Sequence, residues 1–332
     1  NGFPIEDDEG RGSSFVKNLF LGGSGNGRGS PRGPPKEPAA EAAAKAERAA
    51  KRSKLMAHKG GVFGGQRIED VKLELVQSES YLDRVFEVTG DADEPAPLDG
   101  DTWASKRGYE CASRAVGGAC LAVDMVMENK ASTAFSLMRP PGHHAEPEQA
   151  MGFCLFSSAA IAARHAQQKW GLSRIAVIDF DVHHGNGTQA SFWNDGSLFY
   201  ASSHQMPLFP GTGAYDETGA YQNIFTLPLA YGAGGSSIRS GWRDDLLPSV
   251  VAAKPDLIII SAGFDAHEAD PLGGLQMTSD DFGILTNDII DAANEAAEHS
   301  GAVRVVSLLE GGYDLNALGQ SVCQHMTALE GI

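Results

Sequence analysis

The stretch IDFDVHHGNGTQ, residues 178–189, ends an apolar run with Asp179, Asp181, His183 and His184 in close succession. Buried charge without a partner is costly, so such a cluster calls for a metal, a hydrogen-bond network or water. On an extended segment Asp181 and His183, two positions apart, project to the same side. A carboxylate oxygen and an imidazole nitrogen placed there can reach one ion. Asp265, just beyond the apolar run LIIISA, offers a third donor. Two carboxylates and one imidazole around Zn²⁺ leave a coordination position open to water and substrate, as in catalytic rather than structural sites. Cysteine, expected in a structural zinc site, is absent from this set. Each residue alone reads equally as a helix N-cap, a loop carboxylate or a satisfied loop histidine; the three together favour the metal.

A second pair, His143 and His144 in RPPGHHA, sits in a loop stiffened by proline and glycine. Imidazoles titrate near neutrality and suit proton transfer, the alternative being a surface turn. Asp179 points the same way along its strand as Asp181 and can hold one of these rings by its second nitrogen. Tyr313, after Glu310-Gly311-Gly312, is a candidate oxyanion donor, or a packing residue with its hydroxyl on backbone.

These residues need elements to position them. Apolar runs predict strands over 133–138, 174–180, 198–203, 224–229, 256–262 and 303–309, and helical periodicity predicts helices over 103–128, 155–169, 236–252, 279–298 and 314–329. Near-continuous β-branched runs alternating with helices imply a mostly parallel sheet covered on both faces. In such sheets ligands bind beyond the carboxyl ends of the strands, and that is where RPPGHHA, DVHHGNG, SHQMPLFPGTG, GFDAHEADPLGG and EGGYDL all fall.

Composition narrows the class. The 332 residues, 42% hydrophobic, suffice for one large α/β domain. A formal charge of −17 disfavours direct nucleic-acid binding and attracts cationic partners such as Lys-rich peptides or polyamines. Cys111, Cys120, Cys154 and Cys323 lack the spacing and density of a disulfide scaffold, which points to reduced thiols and an intracellular setting, cytoplasm or nucleus. No apolar run reaches the roughly 20 residues that span a bilayer. Residues 1–65, rich in Gly, Pro, Arg and then Ala, read as a low-complexity tail, and 66–332 as the catalytic domain. The chain begins with Asn1, which leaves organelle targeting open.

The segments RPPGHHA, GFCLFSSAA, DFDVHHGNGTQ, FPGTGA, SAGFDAHEADPLGGL and LLEGGYDL resemble, in order and spacing, the zinc-dependent histone deacetylase and acetylpolyamine amidohydrolase superfamily, from about Leu73 to the C-terminus. Asn186 and the EGGY wording look more like its class II and bacterial branch. The resemblance implies an arginase-like three-layer α/β/α sandwich around a mostly parallel sheet. It also implies hydrolytic removal of acetyl or other acyl groups from lysine side chains of histones or other proteins, with a place in chromatin regulation. Carried over by position, Asp181, His183 and Asp265 match the ligands of one Zn²⁺, His144 the general base and acid, and His143 with Asp179 its electrostatic partner. Tyr313 matches the residue that polarises the amide carbonyl. Gly152, Phe153 and Phe209 match the walls of an acyl-lysine tunnel, Leu272 its mouth, and Asp101 a rim carboxylate for the substrate backbone. Ser202 with Asp179 matches a structural monovalent-cation site of the K⁺ type.

Three departures stand out. Asn186 replaces the Asp that partners the second histidine in class I, Gln77 stands where a His is common, and the family's first strand with its His-Pro-Glu segment is not found in residues 1–70. Other readings are weighed against the main one. A dinuclear manganese ureohydrolase needs further Asp and His ligands beside Asp181 and Asp265, and none is suitably spaced. A non-catalytic acetyl-lysine scaffold has no use for the full set of ligands, histidines and Tyr313. An acetylpolyamine deacetylase calls for a carboxylate just after Asp270-Pro271, where apolar Leu272 stands and favours an acyl-lysine peptide instead.

Overall fold

The structure, a computed structural model, describes residues 72–90, 94–301 and 304–331, with scattered helical positions between 41 and 51. The tail expected over 1–65, and residues 1–70 in which the family's first strand is not found, otherwise lie outside the described residues. In chain order the elements are α1 (Glu79–Gly90), β1 (Ala96–Pro97), β2 (Trp103–Ala104), α2 (Gly108–Met127), β3 (Thr133–Ser136), α3 (Ser158–Trp170), β4 (Ile175–Asp179), α4 (Asn186–Phe192), β5 (Leu198–Gln205), β6 (Ile224–Leu229), α5 (Gly235–Gly241), α6 (Leu247–Ala253), β7 (Leu257–Ala262), α7 (Ser279–Ser300), β8 (Val305–Leu309) and α8 (Leu315–Leu329).

Six strands form one sheet in the order β3-β8-β7-β4-β5-β6, every neighbouring pair parallel. Side chains alternate across it. Ile175, Val177, Leu257 and Ile259 face the layer of α2 and α3, where they meet Val123, Ala159 and Ala163. Ala176, Ile178, Ile258 and Ile260 face the layer of α6 and α7, with Val250, Phe282, Leu285 and Ile289. This is the expected α/β/α sandwich, and it explains the continuous apolar runs: both faces of the central strands are covered. Among the described residues no helix is long and apolar enough to cross a membrane.

Two elements depart from the periodicity. The helix expected over 103–128 begins only at Gly108, because Trp103 and Ala104 pair with Pro97 and Ala96 across the turn LDGD. Leu98 N–H donates to Thr102 O at 2.8 Å, and the Asp-Gly turn closes this hairpin. The helix expected over 236–252 is split by a π-helical turn, Trp242–Leu246, just ahead of Pro248. Proline offers no N–H to the preceding turn, so the ladder widens there instead of continuing. α1 and the short α4 were not among the expected helices.

The α7 layer contains a buried imidazole. His325 of α8 bonds Thr286 Oγ1 at 2.7 Å and Ser307 Oγ at 2.8 Å, amid the rings of Phe135, Phe180 and Phe264. Burial holds its pKa down, to about 3 from the usual 6.5. The folded state therefore binds fewer protons than the unfolded one below pH 6.5, and the stability His325 contributes as a neutral ring is lost as pH falls from there. At about 1.4 kcal/mol per pH unit, His325→Gln is expected to gain on the wild type by ~2 kcal/mol between pH 6.5 and 5. Denaturant unfolding of both proteins at the two pH values checks this, and parallel stability curves would contradict it.

Candidate active site

Parallel neighbours β3, β8, β7 and β4 end on one side of the sheet, so the loops that follow them converge. Beyond β4, Asp181 and His183 turn inward; beyond β7 comes Asp265. His183 Nδ1 lies 3.1 Å from Asp181 Oδ1 and 3.1 Å from Asp265 Oδ2. One ligand atom from each residue falls within 4.8 Å of the others. The remaining oxygens are tied to backbone: Asp181 Oδ2 accepts from Gly311 N–H at 2.8 Å, and Asp265 Oδ1 from Val182 N–H at 2.9 Å. A Cβ on Gly311 would overlap Asp265 Oδ2, so residue 311 is restricted to glycine by the closeness of both carboxylates.

Both aspartates are fully buried. Burial and the neighbouring Asp181 charge push Asp265 up to about 7. Burial opposes ionisation of Asp181 as well, but His143 and His183 outweigh it and hold that carboxyl well below the usual range. Burial lowers His183, yet its bonds to Asp181 and Asp265 raise it to about 10. Two carboxylates and one imidazole nitrogen facing a common point are the donor set of a catalytic divalent-metal site, and the residues fit Zn²⁺.

The histidine pair lies beside this cluster. His143 Nδ1 is 3.1 Å from Asp179 Oδ2, which also accepts from Tyr200 OH at 3.0 Å. His144 Nδ1 is 2.9 Å from Asn186 Oδ1, and the two imidazole rings lie 4.0 Å apart. Burial disfavours the charged form of both. At His143 the charges of Asp181 and Asp179 outweigh burial and raise the pKa, while at His144 burial and the neighbouring His143 lower it.

Around these groups stand the tunnel candidates. Phe209, 41% exposed, has its ring 5.1 Å from His144 and 6.3 Å from His183. Phe153, 40% exposed, lies 6.0 Å from the Tyr313 ring. Burial, then Asp181 and Asp265, raise the Tyr313 phenol, which keeps it a proton donor. Asp101 Oδ1 accepts from Gly152 N–H at 3.0 Å, and Thr102 Oγ1 from Phe153 N–H at 3.0 Å, so the β1–β2 hairpin grips the Gly152-Phe153 wall. Leu272 is 43% exposed and its N–H donates to Asp270 Oδ1 at 3.0 Å. Ser202, level with Asp179 in the sheet, bonds His204 Nδ1 at 3.0 Å.

Two braces escaped sequence reasoning. Glu310 is buried and accepts from Gly142 N–H at 2.7 Å, His143 N–H at 3.1 Å and Ser261 Oγ at 3.0 Å. Burial pushes its pKa up to about 7. Asp270 Oδ2 accepts from Tyr313 N–H at 2.6 Å and Asp314 N–H at 3.2 Å, joining the Tyr313 and Leu272 loops. Their place at strand ends was visible in the sequence; their partners, backbone N–H groups of other loops and the Ser261 hydroxyl, were not.

A parallel sheet whose carboxyl ends gather this acid and imidazole cluster is the α/β arrangement in which ligand sites lie beyond the strand ends. The profile of the histone deacetylase domain matches residues 39–329, and the chain belongs to that family. It is 40% identical over 269 residues to histone deacetylase 10, chloroplastic, of Oryza sativa subsp. japonica, covering 77% of this chain and 60% of that protein. It is 41% identical over 239 residues to a probable deacetylase of Methanothermobacter thermautotrophicus, covering 70% and 69%. The chain thus spans about three fifths of the length of the first relative. The crystal structure of the HDA15 HD domain superposes with a TM-score of 0.71 at 33% identity, over 78% of this chain and 72% of that one.

Gly152 tests the geometry without any assay of activity. Its φ is +56°, and a Cβ there would overlap the His144 ring. Gly152→Ala is expected to cost about 1–3 kcal/mol in unfolding free energy, from left-handed strain and displacement of the imidazole. An unchanged denaturation midpoint would contradict the placement of His144 against residue 152.

Proposed function

We propose that this protein is a zinc-dependent deacylase that removes acetyl or related acyl groups from lysine side chains of histones or other proteins. The observation that carries the reading is the convergence of Asp181, His183 and Asp265 on one point, with His143 and His144 beside it. Zn²⁺ held by these three residues would polarise the amide carbonyl and lower the pKa of a water molecule. His144 then takes the proton from the attacking water and passes it to the leaving amine. His143, held by Asp179, keeps a positive charge next to the developing negative one. Tyr313 donates a hydrogen bond to the carbonyl oxygen as it becomes an oxyanion. Phe153 and Phe209, with Gly152 between Phe153 and the His144 ring, give the apolar stem of an acylated lysine aromatic walls. Asp101 is the rim carboxylate for the substrate backbone, and Asp179 with Ser202 the place of a K⁺-type ion.

A dinuclear site is disfavoured because Asp181, His183 and Asp265 are the one such metal-holding group among the described residues. A scaffold without catalysis leaves His144 and Tyr313 without purpose. Against a polyamine substrate stands Leu272, which brings no counter-charge to the mouth for a second ammonium.

Purified wild type is expected to carry one zinc per chain and Asp265→Ala to lose it, by metal analysis. His144→Ala and Tyr313→Phe are expected to keep the metal yet lose about 100-fold or more in turnover of an acetyl-lysine peptide, since they act on the transition state. Two metals per chain, or wild-type turnover in either variant, would overturn the assignment. For substrate class, kcat/KM for an acetyl-lysine peptide is expected to exceed that for N8-acetylspermidine. The reverse order would sink the reading of Leu272.

A further inference from the structure

The side-chain amide of Asn186 is gripped at both ends. Its Oδ1 lies 2.9 Å from His144 Nδ1, and its Nδ2 donates to Glu146 Oε1 at 2.8 Å. The same Nδ2 reaches Met151 Sδ at 3.1 Å and the His144 carbonyl at 3.4 Å, so every neighbour of the amide nitrogen is an acceptor. The two ends of an amide are chemically opposite, and here the choice between them is forced. A carboxylate has no proton to give, so Glu146 turns the NH₂ group toward itself. Oδ1 must then face His144, and an amide oxygen only accepts. His144 Nδ1 therefore carries the ring proton, and the lone pair is left on Nε2.

Glu146 is itself fixed by its backbone. Its N–H donates to Gln149 O at 3.0 Å, Gln149 N–H returns to Glu146 O at 3.4 Å, and Gln77 Nε2 donates to the same carbonyl at 3.4 Å. Residue 77 thus braces the turn from which the carboxylate reaches Asn186. The neighbouring histidine meets its carboxylate directly, His143 on Asp179 at 3.1 Å, whereas His144 meets one at a remove, with an amide in between.

We propose that Glu146 is a positioning residue: through the amide of Asn186 it fixes His144 in the Nδ1–H tautomer and so keeps Nε2 available as the base. This rests on the reading of His144 as the group that moves the proton. An amide without this constraint can turn over, present NH₂ to Nδ1 and stabilise the tautomer whose Nε2 is protonated and useless as a base. A carboxylate acting at one remove fixes tautomer while leaving the ring without a negative charge in contact.

The experiment compares wild type, Glu146→Gln and the double variant Glu146→Gln with Asn186→Asp. The amide introduced by Glu146→Gln can donate or accept, so the single variant removes the charged acceptor and leaves only the His144 carbonyl at 3.4 Å and Met151 Sδ at 3.1 Å to orient the Asn186 amide. The double variant puts an acceptor-only carboxylate at 186, next to His144, with the new amide at 146 able to donate to it. Histidine ¹⁵N NMR, in zinc-free and zinc-loaded protein, is expected to show Nδ1–H at His144 in wild type, a mixture in the single variant and Nδ1–H again in the double. With an acetyl-lysine peptide, kcat is expected to drop about 10-fold or more in Glu146→Gln, with KM within about twofold, and to recover in the double variant. A Glu146→Gln protein with the wild-type tautomer overturns the proposal, and if its kcat still falls the residue is only a tie of its turn. A double variant no better than the single one overturns it too. Both variants carry the same change at 146, so a rescue cannot come from restoring that tie. Absence of turnover in zinc-loaded wild type counts against the hydrolase reading, while the NMR comparison still decides the role of Glu146.

Discussion

Asp181 and Asp265 are buried side by side, and His183 Nδ1, 3.1 Å from an oxygen of each, is the one imidazole they both contact among the described residues. Like charges about 5 Å apart repel by roughly 3 kcal/mol even at an effective dielectric of about 20. No hydrophobic gain comes from putting two such groups there, so the end of the sheet is organised around making them tolerable. Backbone N–H groups of Gly311 and Val182 take up one oxygen of each. His143, anchored on Asp179, leans toward Asp181 with Nε2 3.9 Å from Oδ2. What these partners leave uncompensated is the affinity of the site for a cation.

The same device, a carboxylate accepting backbone N–H groups, fixes each loop around the cluster. Glu310 holds the loop of His143, Asp270 joins those of Leu272 and Tyr313, Asp101 holds Gly152, and Glu217 accepts from Gly213 and Ala214 in the loop after Phe209 at 3.0 Å each. Hydrogen bonds to charged acceptors are stronger than neutral ones, which suits loops that have no strand or helix to stiffen them. Glu310 and Asp270 are buried in this role, Glu217 is half-buried and Asp101 is exposed.

Legibility in the sequence follows from the range of the interactions. The central strands were readable because both faces of β4 and β7 are covered and the residues say so locally. Asp179, Asp181 and His183 were readable from their spacing of two at the end of an apolar run, although β4 ends at Asp179 and residues 181–183 form a bend. Glu310 and Glu146 were not readable as braces, since their partners Gly142, His143 and Asn186 are set by tertiary closure rather than by spacing. The late start of the helix expected from 103 has the same origin: Trp103 and Ala104 are captured by Ala96 and Pro97, a pairing that local propensity does not encode.

His143 and His144 show how far adjacency in sequence can part from equivalence in chemistry. Both are buried in one loop, their rings 4.0 Å apart, and burial alone would push both toward the neutral form. Two charged imidazoles at that separation would repel, so only one of them can be charged cheaply. The carboxylates decide which: Asp179 and Asp181 face His143 and hold its pKa up, while Asn186 meets His144 with a neutral oxygen and leaves it low. The charged neighbour then lowers His144 further, so the asymmetry reinforces itself. The proposed mechanism calls for one fixed positive charge and one neutral base, and identical side chains can supply both when carboxylates stand on one side and an amide on the other.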